Sequence, residues 1–252
     1  MKQLGSSFCS AVIFYTIFPL PSAWTNSWQR IARWASAIGL LIGAILALSD
    51  LLLQYGGFSP LTRSAIITVL WVGIAGGLHL DGAMDTADGL ATTEPTRRLE
   101  VMKDSATGAY GAMVAVIIIL LKTVALNEIS DNNWLILILT TGWARWGQLM
   151  AIALYPYLRE TGKGAFHKEN LRIFADTFIG SALVLTVSVF LLFLGAFSWL
   201  KVLTIILSCG AIALIPGYYF YRQFQGHTGD TYGAVVEWNE VLLLLWLSRL
   251  IS

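Results

Sequence analysis

The chain is 252 residues long, 56% hydrophobic and only 12% charged, with a mean hydropathy of +0.69. That balance excludes a soluble globular domain and points to an integral membrane protein. The net charge of +1 comes without a basic tract or an aromatic RNA-binding motif, so no nucleic-acid partner is expected.

In chain order, residues 8–20 (FCSAVIFYTIFPL) are apolar but closed by Pro19 and Pro21. They fall short of the roughly 20 residues a crossing needs and read as a marginal span or a re-entrant segment. Firmer crossings are expected at about 34–54, 62–80, 110–127, 134–155, 178–200, 202–221 and 236–251. The fold class is therefore an all-α polytopic membrane bundle of about seven or eight segments. No linker, repeat or composition shift divides it, so residues 1–252 form one domain. Cys9 and Cys209 lie far apart in apolar surroundings and read as buried thiols. Alternate loops collect the basic residues: Arg30 and Arg33, then Arg97, Arg98 and Lys103, then Arg159, Lys163, Lys168 and Arg172, then Arg222. The loops between them carry only Arg63 and Lys201, so the basic side is expected to face the cytoplasm.

Residues 79–111, HLDGAMDTADGLATTEPTRRLEVMKDSATGAYG, hold six of the fifteen acidic residues between two apolar runs. At about 100° per residue, Asp81, Asp85 and Asp88 project within roughly 60° of one another on a helix. Glu100 and Asp104, four apart, are expected to pair in the same way on the next helix. Like charges at this spacing repel unless a cation or basic ligand fills the gap. Oxygen donors without cysteine suit Mg²⁺ or Mn²⁺ better than Zn²⁺. We therefore expect a divalent-metal site acting on phosphate in preference to a solvated acidic loop. A cation transporter is the alternative from another class, but its acids should line several spans instead of clustering at one end.

Other polar residues bear on the same site. Arg145 lies near the middle of its span, where a guanidinium costs about 2.5 kcal/mol or more, and should face a carboxylate or a substrate phosphate inside the protein. Lys122 is expected to snorkel to the interface. Gly162, Lys163 and Gly164, flanked by Arg159 and Lys168, form a basic loop suited to phosphate. In TGDTYG (228–233), Thr228 or Asp230 either caps the next helix or joins a polar site that Glu237 would share. None of the three histidines has metal-ligand spacing, and His79 is the best placed, just ahead of the acidic face.

GGLHLDGAMDTADGL (76–90), EVMKDSATGAYG (100–111), YPYLRETGKGAF (155–166) and GHTGDTYGA (226–234), with FPLP (18–21), resemble the cobalamin synthase family, the adenosylcobinamide-GDP ribazoletransferases, over most of the chain. The resemblance implies a bacterial inner-membrane enzyme that uses Mg²⁺ to join adenosylcobinamide-GDP to α-ribazole or its 5′-phosphate, releasing GMP. The bilayer is its surroundings, and an oligomer is allowed. It implies that Asp85, Asp88, Glu100 and Asp104 hold the metal, with Asp81 as a further ligand or neighbour. Either Asp104 or Asp81 would take the hydroxyl proton. His79, Lys103, Arg145, Arg159, Lys163, Thr228 and Asp230 would contact substrate. A looser likeness to the CDP-alcohol phosphotransferases, with Ala91-Thr92 where that pattern has Ala-Arg, leaves phospholipid synthesis as the alternative.

Overall fold

The computed structural model describes residues 2–104, 106–159 and 163–251. Among them are eleven α-helices and no strand, apart from one isolated bridge between Tyr157 and His227. The helices are α1 (Lys2–Tyr15), α2 (Ala35–Tyr55), α3 (Pro60–Ile74), α4 (Leu78–Ala91), α5 (Arg98–Val101), α6 (Ala109–Asn127), α7 (Asn133–Leu154), α8 (Lys163–Asn170), α9 (Ile173–Leu194), α10 (Trp199–Phe224) and α11 (Gly229–Ile251).

Among the described residues, five segments are long and apolar enough to cross a membrane: Ile31–Tyr55, Ala109–Asn127, Asn133–Leu154, Ile173–Leu194 and Trp199–Phe224. The chain is an integral membrane protein. The crossing expected at 62–80 is broken. α3 ends at Ile74, Gly76 and Gly77 take left-handed φ values of 63° and 70°, and α4 leaves at 87° to α3. We read α4 as lying across the end of the bundle, outside the crossings. The turn expected near 200 sits at 195–198, where Ser198 caps α10, and Lys201 belongs to the first turn of that helix. α11 matches the others in length but carries Asp230, Glu237, Glu240 and Arg249, and its charged middle is tolerated because it is buried in protein.

α7 and α11 form the centre. α7 packs antiparallel on α2 through Gly39 and Gly43, a small-xxx-small pair. A Cβ on Gly43 would meet the Thr141 hydroxyl and approach the Ile138 Cα to 2.6 Å, so only hydrogen fits between these backbones. Contact of this closeness replaces the hydrophobic drive that lipid cannot supply. α11 lies between α4, α6, α7 and α10. The alternation of the long helices gathers the connections 16–34, 75–108, 155–172 and 225–228 at one end, the near end, and the turns after α2, α6 and α9 at the other.

Candidate active site

α4 carries the acidic face across the near end. Asp81 is exposed, while Asp85 and Asp88 are half-buried. Burial pushes the Asp85 carboxyl up to about 6, helped by the carboxylates of Asp81, Asp230 and Asp88 and opposed by Arg159. Burial and neighbouring carboxylates thus outweigh the one opposing guanidinium. Asp88 has a structural task as well. Its carboxylate accepts the Gly108 N–H at 2.8 Å and the Gly111 N–H at 2.9 Å, capping α6 from a neighbouring helix. A Cβ on Gly111 would reach one Asp88 oxygen at 2.5 Å, and one on Gly108 would collide with the other. On the opposite side, Gly82 lets α4 rest on α11, where an added Cβ would come within 2.6 Å of the Asp230 carbonyl.

Thr228 caps α11, its hydroxyl accepting the Thr231 N–H at 3.3 Å while the Thr231 hydroxyl accepts the Thr228 N–H at 2.8 Å. Asp230, in the first turn, forms an ion pair with Arg159 at 2.8 Å. This pair and Asp81 stand at a cavity of about 220 Å³ enclosed by α1, α4, α7, α8 and α11. Phe14, Gln148, Tyr157, His167 and Tyr232 line its remaining walls. His79, also on the wall, is buried, and its Nε2 and Nδ1 lie 3.2 and 3.4 Å from Arg145 Nη1 and Nη2. Burial first, and then the adjacent guanidinium, hold His79 well below the usual histidine range, so its ring is neutral.

Beneath the acidic face lies a dry charge cluster. Lys122, fully buried, donates to Glu237 at 2.7 Å and to Glu240 at 2.5 Å and stacks its ammonium 4.7 Å from the Trp71 ring centroid. The expectation that Lys122 snorkels is wrong. Two glutamates four and seven residues beyond Gly233 needed a buried cation, and α6 supplies it. Arg145 faces the interior as expected, but its near partners are His79 and the Tyr15 ring, not a carboxylate bond or the cavity.

The rest of the sequence-based set is dispersed. Glu100 lies on the four-residue α5 and pairs loosely with Arg97 at 3.7 Å, its side chain 76% exposed. Lys103 and Asp104 are exposed in the turn that follows, so Glu100 and Asp104 do not pair on the next long helix. Among the described residues, no three Asp, Glu, His or Cys side chains converge on a point where one ion could sit. Residues 160–162 and the Lys163 side chain lie outside the described residues, while the Lys163 backbone opens α8 where a basic loop was expected. Lys168 is occupied. Its ammonium donates to the carbonyls of Ile152, Ala153 and Tyr155 at 2.7, 3.1 and 2.8 Å and so closes the C-terminus of α7. Sequence reasoning missed Gln148, Tyr157, His167 and Tyr232, which come from four separate elements and share no spacing signal.

The family model described as cobalamin-5-phosphate synthase matches residues 7–248. The chain is 50% identical over 250 residues to a protein of Trichormus variabilis, covering 99% of both chains. It is also 50% identical over 247 residues to one of Synechocystis, covering 97% of this chain and 95% of the relative. With one of Synechococcus it shares 46% over 253 residues, covering 98% and 97%. All three are named adenosylcobinamide-GDP ribazoletransferase. No solved structure matches the chain at a significant level. Neither rival reading of the acidic motif, phospholipid synthesis or ion transport, has a counterpart in these three names. On its sequence from end to end, the chain belongs to the cobalamin-5-phosphate synthase family.

Proposed function

We propose that this chain carries out the reaction its relatives are named for, joining adenosylcobinamide-GDP to α-ribazole or its 5′-phosphate and releasing GMP. The observation that carries the reading is 50% identity over 250 residues, covering 99% of both chains. The protein sits in the bacterial inner membrane with its near end toward the cytoplasm. Supporting this, Arg97, Arg98, Arg159, Lys168 and Arg222 all lie at that end, while Glu128 and Asp131 lie at the other. That orientation gives charged, soluble substrates access to α4.

The donor set fits Mg²⁺. Such an ion is usually held by one or two carboxylates, its remaining positions going to water and substrate phosphate, so a full protein cage is not required. Asp85 would hold it, with Asp81 and Asp230 beside it. Asp88, Glu100 and Asp104 would join only by giving up the contacts they make here. Bound there, the ion would neutralise the diphosphate and the departing GMP. The chain's own residues do the rest. A ribose hydroxyl of the acceptor attacks the phosphorus attached to cobinamide, the new O–P bond forms, and the P–O–P bond to GMP breaks. Asp81, exposed at the mouth of the cavity, takes the hydroxyl proton. Arg159, held by Asp230, offers its guanidinium to a phosphate oxygen. The test is an assay of the purified protein with both substrates and Mg²⁺. Equimolar GMP and corrinoid product are expected, and no GMP above the single-substrate controls would refute the reading.

A further inference from the structure

The cavity beside the acidic face holds more than the transfer chemistry uses. Besides Arg159, whose Nε and Nη2 meet Asp230 only as an ion pair, three of its side chains are buried with polar atoms that have no hydrogen-bond partner: the Gln148 Oε1, both ring nitrogens of His167, and the Tyr232 hydroxyl. Their residues are only 5%, 5% and 3% exposed. A buried polar atom left unpaired costs about 1–3 kcal/mol, so three such residues around one space describe a site whose partner arrives from outside.

The walls specify that partner. His167 packs edge-on to Phe14 at 4.4 Å and parallel to Tyr15 at 5.8 Å, and Tyr157 stacks on Tyr232 at 5.9 Å, so flat π-surfaces bound the space. Burial pushes the His167 imidazole down to about 4, which keeps it a neutral ring with one donor and one acceptor. Lys168 is engaged by the α7 carbonyls, and Arg159 on the wall is paired with Asp230 beside Asp81, so the cavity carries no net positive charge that would select an anion for its depth. A volume of about 220 Å³ is below the roughly 300–1,000 Å³ of pockets that hold whole ligands. It suits one fused-ring base and excludes a corrin ring.

We propose that this cavity is a base-binding subsite, which takes the neutral fused-ring heteroaromatic base of a nucleoside substrate between its aromatic walls and bonds the polar edge of the base from among Gln148, His167 and Tyr232. The inference rests on the transferase reading above and adds where one substrate is anchored. With the base in the cavity, its ribose emerges past Asp81 and Asp230, which stand at the same opening. The acceptor nucleoside, α-ribazole, and the guanosine of the donor both carry a base of this class, and the experiment separates them.

Binding of α-ribazole and of GMP is measured by equilibrium dialysis on the purified full-length protein in EDTA, so that no metal-dependent turnover enters, for the unaltered protein, His167→Phe and Gln148→Leu. Each variant should weaken one of the two ligands by about tenfold and leave the other within about twofold, the cost of one lost hydrogen bond to a buried base. The ligand that weakens is the occupant. Hydrogen exchange on the unaltered protein gives a reading that no folding defect can confuse: the same ligand should slow the amides of α8 and of residues 229–233. Equal weakening of both ligands, weakening of neither, or no protection of α8 would overturn the subsite. Turnover by the unaltered protein in the same preparation separates the two claims. An active enzyme with an unresponsive cavity loses only this inference, whereas an inactive one loses the function.

Discussion

Asp85 and Asp88 stand three residues apart on α4 and meet opposite surroundings. Asp88 is stabilised by two backbone N–H groups at the start of α6, whereas Asp85 faces Asp81 and Asp230 without a bonded donor. Removing each should therefore move stability in opposite directions. Asp88→Ala should cost about 1–3 kcal/mol, because two helix-end donors lose an ionised acceptor. Asp85→Asn should melt at or above the unaltered protein, because it relieves repulsion in the ion-free state. Thermal unfolding in detergent with EDTA reads both, and a stable Asp88→Ala beside a weakened Asp85→Asn would contradict the assignment. The three aspartates were legible as one face because helical period alone places them together. That one of them is spent on a cap was not, since the donors lie twenty or more residues on and only packing brings them back. His167 was similarly invisible: a lone histidine in a basic stretch gives no sign that both its nitrogens will be buried and unpaired.

Helix contacts explain much of the glycine pattern. Gly43 sits where α2 meets α7 backbone to backbone, while Gly73, inside α3, has open space where a Cβ would go. Gly43→Ala should lower stability well beyond ordinary helix-propensity effects, because its neighbours are backbone atoms and cannot swing aside. Gly73→Ala should stabilise by about 0.5–1 kcal/mol through reduced chain entropy. Comparing the two midpoints in one detergent checks the pair, and equal effects would mean that the α2–α7 contact is looser than described. Hydropathy located the long apolar helices well. It could not reveal that Gly76 and Gly77 break a continuous apolar run, since a glycine pair leaves hydropathy unchanged while permitting left-handed backbone. Nor could it pair Lys122 with Glu237 and Glu240, because the partners are more than a hundred residues apart.

Over the whole molecule, the alternating helices put every polar connection bearing on the site at one end. Single cysteines at Arg97, Lys163 and Gln225, in a background with Cys9 and Cys209 replaced by serine, should label from the cytoplasm. One at Asp131 should label only from the opposite face. Asp131 and Arg97 reacting from the same side would break the topology. The fold class and the acidic end of the bundle could both be read from hydropathy and charge, since these are properties of long segments. The cavity between α1, α4, α7, α8 and α11 could not, because it exists only where distant stretches meet. The most direct test of the account is GMP release from adenosylcobinamide-GDP and α-ribazole across a Mg²⁺ titration, comparing the unaltered protein with Asp85→Asn, Glu100→Gln and Glu94→Gln in matched membranes. The account predicts equimolar GMP and corrinoid product from the unaltered protein and at least about a hundredfold loss for Asp85→Asn, the charge on α4 that would carry the ion. Glu94→Gln, exposed beyond the acidic face, should stay active, and so should Glu100→Gln in its exposed place on α5. Full activity with unchanged Mg²⁺ dependence in Asp85→Asn, or no GMP from the unaltered protein, would contradict it.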